Sequence, residues 1–401
     1  MPIIETAVAL CAVGAEKTVS NEIRKLGLEV SEGGFGRVRF KTDLRGLYLS
    51  LMGLRAADRV LLEAAWFPAA DFDMLFKGVK NLPWEKYIPP SMGLKVSKVR
   101  TNRSRLEAET SIQAVVHKAA AERLCQKNNL NRLPEHGDIA ELRVYLEKDQ
   151  ASILLDLSGE PLFKRGYRRS GGIAPLRETT AAAVILSSGW RRKFPLYDPF
   201  CGSGTIAIEA AMYAWDIAPG TGRRFAIENF LFGDKDLENR IRNELAEKAD
   251  FTRLVRIAGS DSEDTIIPAA RHNMERAAAM GGASRPGLIE NQTLILPSFN
   301  VLNMDEAAPP AEFNNRGHSA AAKENGFIIT NPPYGRRLGD TESAEKTYGE
   351  MSRLAGKFSG WKLAVITDHP GFESFFRRKA DRCREITNGA IHSYLFEYER
   401  L

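Results

Sequence analysis

The spacing of hydrophobic and polar residues predicts an α+β organisation in the first 160 residues. Apolar and polar residues alternate in ADRVLLEAAWF and GLKVSKVR, as in half-buried strands. The segments EKTVSNEIRKLG and SIQAVVHKAAAERLCQKN instead repeat apolar residues every three or four positions, as amphipathic helices do. IAELRVYLEKDQASILLDLSG predicts a hairpin turning at residues 148–150. We therefore expect two small α+β units, over residues 1–54 and 55–160.

The pattern changes near residue 174, where strand-like segments begin to alternate with long helical ones. FPLYDPF, VRIAGSD, GFIITNPPY and WKLAVITD are strand-like, and TIAIEAAMYAW and TIIPAARHNMERAAAM lie between some of them. Such alternation predicts a mostly parallel sheet with helices on both faces. Near the C-terminus, Asn388-Gly389 between two strand-like runs predicts a hairpin. We expect an α/β domain over residues 165–401, with one reversed strand near the sheet edge.

Composition and charge narrow the class of protein. With 401 residues, two to three domains are expected, and 43% hydrophobic with 27% charged residues is typical of globular proteins. The net charge of +5 fits a nucleic-acid enzyme but equally fits an ordinary basic cytosolic protein.

Cysteine, histidine and apolar runs give expectations about metals and location. The four cysteines, at 11, 125, 201 and 383, are too far apart for a zinc pair or a disulfide scaffold. The six histidines show no paired-ligand spacing, so we expect no metal. No signal peptide and no membrane-spanning run is recognisable, and we expect a cytoplasmic protein without membrane association.

The first chemical motif is DPFCGSGTIAIEAA, which starts at Asp198. An apolar strand ends in this aspartate, a tight loop with Gly202 and Gly204 follows, and a helix begins near Thr205. Glycines at this place let a ligand approach backbone amides at the carboxyl edge of the sheet. An aspartate in the loop would repel a pyrophosphate but would suit a ligand with a positive amino group.

The second motif is NPPYG, directly after the apolar strand FIIT. The amide oxygen of Asn331 and the carbonyl of Pro332 are two acceptors on a backbone stiffened by proline. Together they can accept both hydrogens of an aromatic amine and aim its lone pair at a methyl donor. Tyr334 offers a ring for stacking an extracted base. A proline-rich loop capped by asparagine is the structural alternative.

These strings, taken as a set, resemble a known family. SGEPLFKRGYR, APLRETTAAAVILSSGW, DPFCGSGTIAIEAA, APGTGRRFAIENF, TNPPYGRRLG and NGAIHSYLFEY are similar to the THUMP-domain-containing class I RNA methyltransferases, in particular to bacterial large-subunit (23S) rRNA guanine-N2 methyltransferases. The resemblance implies a class I, Rossmann-like methyltransferase domain with S-adenosylmethionine as methyl donor. It also implies that the N-terminal half is a ferredoxin-like unit followed by a THUMP domain that binds RNA.

The resemblance assigns roles to particular residues. It implies a donor site formed by Asp198, Phe200, Gly202, Gly204, Thr205, Asp261, Asp305 and Thr179. Within it, Asp261 bonds the ribose hydroxyls and Asp305 lies beside the adenine amine, although a turn or helix-cap aspartate is the alternative for Asp305. Asn331, Pro332 and Tyr334 present the target amine. Asp261 is farther from the glycine loop than in a minimal nucleotide-binding unit, because a charged, helical insertion over about 216–253 intervenes.

Two basic segments and one further arginine are candidates for RNA contact. They are KVSKVRTNRSR, KRGYRRS and the arginine after NPPYG, which supply Lys95, Lys98, Arg100, Arg103, Arg105, Arg165, Arg168, Arg169 and Arg336. An isolated charge run is commonly a solvated surface, but beside an RNA-modifying site we expect phosphate contacts.

Several functional alternatives stay open at the level of sequence. NPPY serves the N6 amine of adenine as well as the N2 amine of guanine, and only the resemblance favours guanine. Transfer RNA is an alternative to ribosomal RNA, DNA is a less favoured substrate, and a catalytically inactive RNA-binding scaffold is a different class of function. Cys201 could suggest a covalent nucleophile, but it lies in the glycine loop that is expected to bind the donor. The NPPYG loop, which is expected to bind the base, has no cysteine.

Overall fold

Two seven-stranded sheets form the framework of the molecule. The computed structural model describes residues 5–168, 176–282, 295–310, 313, 325–335 and 340–401. The strands of the first sheet lie in the order β2-β3-β1-β4-β7-β6-β5, and those of the second in the order β10-β9-β8-β11-β12-β14-β13. Among the residues that the structure describes, no helix is long and apolar enough to cross a membrane.

The first sheet is mostly antiparallel, and only its edge pair β5 and β6 is parallel. Its strands are β1 (Glu5–Cys11), β2 (Glu29–Gly34), β3 (Arg37–Thr42), β4 (Ala57–Pro68), β5 (Gly93–Asn102), β6 (Ile139–Glu147) and β7 (Gln150–Asp156). The associated helices are α1 (Glu16–Lys25), α2 (Leu44–Gly53), α3 (Phe72–Lys80) and α4 (Glu109–Asn128). Lys148 and Asp149, both with positive φ, make the tight turn between β6 and β7 that the sequence predicts.

The two expected N-terminal units share this single sheet. Strand β4 pairs with β1 on one side and with β7 on the other, so no break in hydrogen bonding separates the segments before and after residue 55. Three elements had no clear sequence signal. Strand β2 is a glycine-containing, largely exposed edge strand, and α2 is too uniformly buried to show a helical period. Helix α3 is only nine residues long.

The second sheet is parallel from β10 to β12, as expected for an α/β domain. Its strands are β8 (Leu196–Asp198), β9 (Ile257–Asp261), β10 (Ser298–Val301), β11 (Phe327–Thr330), β12 (Lys362–Thr367), β13 (Arg382–Asn388) and β14 (Ile391–Tyr398). Its helices are α5 (Glu178–Ser187), α6 (Thr205–Ala214), α7 (Lys235–Glu247), α8 (Ile267–Met280), α9 (Asp340–Met351), α10 (Leu354–Lys357) and α11 (Phe372–Phe376).

The predicted reversed strand is β14, which lies one strand in from the edge. It pairs antiparallel with β12 and with β13. The hairpin between β13 and β14 pairs Asn388 with Ile391, and Gly389 adopts a φ of +66° in the turn. Asparagine and glycine tolerate such left-handed backbone, which is why this dipeptide was a reliable signal.

The two halves of the chain pack against each other through their helices. Helix α1 contacts α5, and α2 contacts α7. One continuous hydrophobic cluster contains side chains from both halves. Arg55, buried at the junction, donates to the backbone carbonyl of Ile217 at 2.7 Å. The first sheet is therefore held in a defined place relative to the second.

Candidate functional site

The sequence motifs meet at the carboxyl edge of the second sheet. Strand β8 lies between β9 and β11, and all three are parallel. Their ends therefore bring together Asp198 at the end of β8, Asp261 at the end of β9 and Asn331 directly after β11. Strands β9 and β10 follow β8 in the chain and lie on one side of it. The next strand in the chain, β11, lies on the other side of β8, so the strand order reverses there. Ligands of open α/β sheets bind at such a switch point.

Asp198 is a buried carboxylate at the centre of this edge. It is 1% exposed, and its Oδ1 accepts hydrogen bonds from the hydroxyl of Thr330 at 2.6 Å and the backbone amide of Phe200 at 3.2 Å. Burial raises the pKa of Asp198 to about 7, against the lowering effect of these two hydrogen bonds. A positively charged ligand group nearby would favour the ionised form.

The glycine loop that follows Asp198 leaves open space at one of its two glycines. Gly202 has a φ of +50°, and a Cβ built on it would meet only Ile266 Cδ1, at 3.9 Å. Gly204 has a φ of +89°, and its Cβ would contact Ile208 and Phe299 at 3.1 and 3.2 Å. The loop can therefore take a ligand next to Gly202, whereas Gly204 is required by the packing of the loop itself.

Asp261 is fixed by the same loop. Its Oδ2 accepts from the backbone amide of Gly202 at 2.9 Å, and its Oδ1 accepts from the amide of Glu263 at 3.1 Å. Each carboxylate oxygen has lone pairs left for a further donor, such as a hydroxyl group. Asp305 is exposed in a short 3-10 turn, Met304–Glu306, for which Asn303 is the cap. The adenine contact predicted for Asp305 stays a prediction.

The Asn331 side chain presents an acceptor without a partner. Its Oδ1 is buried and has no hydrogen-bond partner among the residues that the structure describes. Buried polar atoms are nearly always satisfied, and an exception calls for a ligand or water. Pro332 beside it is buried, and Tyr334 is half-buried. An unsatisfied oxygen at the carboxyl edge of the sheet is suited to accept an N–H of a bound amine.

A buried tyrosine holds the backbone of the NPPYG loop (residues 331–335). The hydroxyl of Tyr348, on α9, donates to the carbonyl of Pro333 at 2.6 Å and is 3.0 Å from the hydroxyl of Thr367. The hydroxyl of Thr341 donates to the carbonyl of Gly335 at 2.9 Å. Sequence reasoning missed Tyr348 and Thr330. Thr330 ends an apolar strand directly before Asn331 and could have been found, but Tyr348 has no local signal.

Two arginines predicted to contact RNA are enclosed within the protein. Arg165 is 2% exposed and pairs with the buried carboxylate of Glu209 at 3.4 Å. Because no face of this guanidinium is available to a phosphate, the prediction of RNA contact is wrong for Arg165. The side chain of Arg168 is 11% exposed, donates to the hydroxyl of Thr205 and forms an ion pair with Glu178, so its assignment to RNA is corrected in the same way.

The remaining predicted residues are distributed over two regions. Thr179 is buried where the two halves meet, and its hydroxyl donates to Asp58 Oδ1 at 2.5 Å, so its role in donor binding stays a prediction. Cations on edge strand β5 and the turn after it are partly or fully exposed; they are Lys95, Lys98, Arg100, Arg103 and Arg105. Arg169 and Arg336 lie outside the described residues.

The surroundings of Cys201 do not favour a nucleophile. The side chain is 5% exposed, and burial raises the pKa of its thiol well above the usual range. A covalent mechanism needs the thiolate. Within the described ranges, no group of three or more His, Cys, Asp or Glu side chains is placed to hold a metal ion.

Family profiles match almost the whole chain. The methyltransferase domain described as RMKL-like matches residues 165–284 and 311–396, the RlmL ferredoxin-like domain matches 6–61, and the THUMP domain matches 69–156. The similarity thus extends over both sheets and includes the glycine loop and the NPPY loop.

Individual proteins show the same relationship. The Bacillus subtilis protein named "Putative RNA methyltransferase YpsC" is 35% identical over 98% of this chain and 95% of its own length. Ribosomal RNA large subunit methyltransferase K/L of Syntrophotalea carbinolica is 33% identical over 96% of this chain, which spans 52% of that protein. A solved structure described as "SMU.472, a putative methyltransferase complexed with SAH" superposes with a TM-score of 0.82 at 35% identity, covering 100% of this chain and 99% of that one.

Proposed function

Because the chain belongs to the family of THUMP-containing, RlmL-like methyltransferases, we propose that it transfers a methyl group from S-adenosylmethionine to an exocyclic base amine of RNA. The observation that carries this proposal is the unsatisfied Oδ1 of Asn331. It lies directly after Thr330, whose hydroxyl is 2.6 Å from Asp198 in the glycine loop. An acceptor for an amine and a cradle for a methyl donor are therefore neighbours.

The residues around the glycine loop fit the donor. Asp198 suits the ammonium of its methionine end, the open space at Gly202 admits its chain, and Asp261 offers lone pairs to its ribose hydroxyls. When bound, S-adenosylmethionine supplies an electrophilic methyl group. The donor residues named from the family resemblance are part of this proposal.

The NPPYG loop is proposed to make the exocyclic amine of the base, a poor nucleophile, reactive. The lone pair of a guanine or adenine amine is delocalised into the ring. Asn331 Oδ1 and the Pro332 carbonyl accept the two amine hydrogens, so that the lone pair turns out of the ring plane towards the methyl group. The same oxygens stabilise the positive charge that develops on nitrogen as the methyl–sulfur bond of the donor breaks and S-adenosylhomocysteine is left. The methylated nitrogen then loses one proton to water. Tyr348 and the prolines keep the loop in position, so this arrangement is in place before the substrate binds.

The favoured target is guanine N2 of large-subunit (23S) ribosomal RNA, after the K/L relatives. The chain spans about half the length of these relatives, so we do not propose for it every activity of the longer proteins. Adenine N6 and guanine N2 of transfer RNA are the alternatives. An inactive scaffold is disfavoured, because a scaffold has no need of an unsatisfied buried acceptor beside a ligand cradle.

The N-terminal half is proposed to hold the RNA. We assign residues 1–54 to a ferredoxin-like unit, 55–160 to a THUMP domain and 165–401 to the methyltransferase domain. The cations of β5 lie at a free sheet edge, where they can contact phosphates, although Arg100 and Arg105 also pair with Glu109 and Asp149. A ribosomal RNA substrate implies a cytoplasmic location.

The test is Asn331→Ala. Turnover should fall by a factor on the order of 10² or more, because a hydrogen bond that strengthens in the transition state is lost. Affinity for S-adenosylhomocysteine, measured by calorimetry, should stay within about twofold of the wild type. Asn81→Ala, at the exposed end of α3, is the matched control and should retain full turnover. Wild-type turnover by Asn331→Ala would contradict the proposed role of this side chain.

A further inference from the structure

Residues 157–168, called the connector here, follow the first sheet and run along helix α6, which begins at the glycine loop. Arg165 pairs with Glu209, and the hydroxyl of Tyr167 donates to the same carboxylate at 3.2 Å. Glu209 lies on α6, one turn after Thr205 and on the same face of the helix. All four of these side chains are buried. The connector is thereby fixed against the helix that begins at the glycine loop.

Arg168 extends this contact to the donor loop itself. Its guanidinium donates to the hydroxyl of Thr205 at 2.5 Å and lies 3.1 Å from the carboxylate of Glu178. A hydroxyl that accepts one hydrogen bond still has its own hydrogen to donate. Because Arg168 occupies the acceptor side of Thr205, the hydroxyl hydrogen is turned away from it and is available to an acceptor such as the carboxylate of the donor's methionine end.

A second set of hydrogen bonds joins the same connector to the loop from the other side. The guanidinium of Arg276, on α8, donates to the carbonyl of Tyr167 at 2.5 Å and also bonds Asn273 Oδ1. The amide of Asn273, 2% exposed, in turn donates to the carbonyl of Ser203 at 3.0 Å. Ser203 lies between the two loop glycines.

The connector is in turn held by the N-terminal half. Arg165 donates to the backbone carbonyl of Arg55, and the amide of Leu162 donates to the carbonyl of Asp58 at 2.8 Å. Asp58 belongs to β4, the strand that continues into the THUMP part of the first sheet. The connector is therefore hydrogen-bonded to the first sheet at one end and, through Arg168, to Thr205 at the other.

We propose that Arg168 is a positioning residue of the donor site: it orients the Thr205 hydroxyl for the donor and couples the placement of the donor loop to the RNA-binding half. The inference rests on the proposed function, in which Thr205 borders the donor. Arg168 acts through Thr205 and not by its own contact with the donor. This makes its effect separable from a general loss of stability.

The test compares Arg168→Met, Thr205→Val and the double variant by calorimetric titration with S-adenosylhomocysteine. Each single change should weaken binding by about tenfold, the size expected for loss of a hydrogen bond to a charged group. The double variant should bind no more weakly than Thr205→Val, because one interaction is removed in all three. In activity assays, Arg168→Met should raise KM for S-adenosylmethionine more than it lowers kcat.

Two further variants separate positioning from folding. Removing Arg168 leaves the buried Glu178 without its cation, so the same series is repeated with Glu178→Gln, which removes the unpaired charge. Arg192→Ala breaks an ion pair with Asp216 at the far end of α6 and should lower the melting temperature without changing affinity.

Two results would overturn the proposal. Wild-type affinity in Arg168→Met, or single losses that multiply to about a hundredfold in the double variant, would show that Arg168 does not act through Thr205. A wild-type protein that fails to bind S-adenosylhomocysteine would instead contradict the proposed function.

Discussion

At the scale of single residues, the site contains two polar groups whose burial is energetically unfavourable. Asp198 is a fully buried carboxylate, and Asn331 has a buried oxygen without a described partner. Both conditions cost stability in the ligand-free protein. Such departures from ordinary protein chemistry concentrate at functional sites, since a ligand can relieve them. The resemblance identified both residues, but only the structure shows that they are connected, through Thr330.

The raised pKa of Asp198 predicts how donor affinity depends on pH. Its pKa is about 7 in the folded protein and 3.8 as an ordinary side chain, so between these values the native state holds more protons than the unfolded state. The ligand-free protein should therefore lose stability as pH rises through this range. Donor binding should strengthen over the same range, because the ammonium of the donor favours the ionised carboxylate.

Calorimetry provides the measurement. Near pH 6, titration with S-adenosylhomocysteine in buffers of different ionisation enthalpy should show release of about one proton, falling towards zero near pH 8. Asp198→Asn removes the titrating group and should abolish this difference. Affinity that does not change between these pH values would contradict the assignment of Asp198 to the donor's ammonium.

At the scale of elements, the glycine loop combines open space with tight packing. A Cβ at Gly202 would meet almost nothing, and we propose that the donor occupies this space, whereas Gly204 makes room for Phe299 and Ile208. Gly202→Val should abolish binding of S-adenosylhomocysteine by filling that space. The matched control is Gly27→Val, at the end of α1, where φ is +80° and the surroundings are equally open.

Both substitutions place a branched side chain at positive φ, so both should lower stability by about 1–2 kcal/mol. Only Gly202→Val should affect binding, as measured by calorimetry beside thermal unfolding. Unchanged donor affinity in a folded Gly202→Val protein would remove the loop from the donor site. Gly204→Val is less informative, because its clash with Phe299 and Ile208 would displace the loop itself.

Elements with strong periodicity or a specific turn could be predicted from the sequence. The β13–β14 hairpin is at the predicted place because Asn388-Gly389 is a typical turn sequence. The β6–β7 hairpin is at the predicted place because the polar residues 148–150 interrupt two strand-like runs. Helix α2 and strand β2 could not be predicted in this way. In α2 nearly every face is buried, and β2 is an exposed edge strand without alternation, so neither has a periodic signal.

The residue contacts that hold the site were harder to predict, because they join distant parts of the chain. Thr330 meets Asp198 across 132 positions, and Arg168 meets Thr205 across 37. The charge run KRGYRRS predicts phosphate contacts because of its charge and its place beside an RNA-modifying site. Burial changes this interpretation for Arg165 and Arg168, since sequence gives charge but not the carboxylates that meet it after folding.

At the scale of the whole molecule, the two halves form one packed unit. The N-terminal sheet supplies a basic edge at β5, and the second sheet supplies the glycine loop and the NPPYG loop at its carboxyl edge. Arg55 and the connector hold the halves together with buried hydrogen bonds. RNA held by the first half would therefore meet a site whose position is already fixed, which favours transfer to one particular base.

The most direct test of the account is mass spectrometry of nucleosides after the reaction. Ribosomal RNA from a strain that lacks this protein is incubated with the purified chain and S-adenosylmethionine, then digested. The account predicts the appearance of N2-methylguanosine with the wild type and its absence with Asn331→Ala. Detection of N6-methyladenosine instead would identify the N6 amine of adenine as the target. Methylation confined to a ring carbon or a ribose oxygen, or no methylation in this RNA or in transfer RNA, would contradict the central claim.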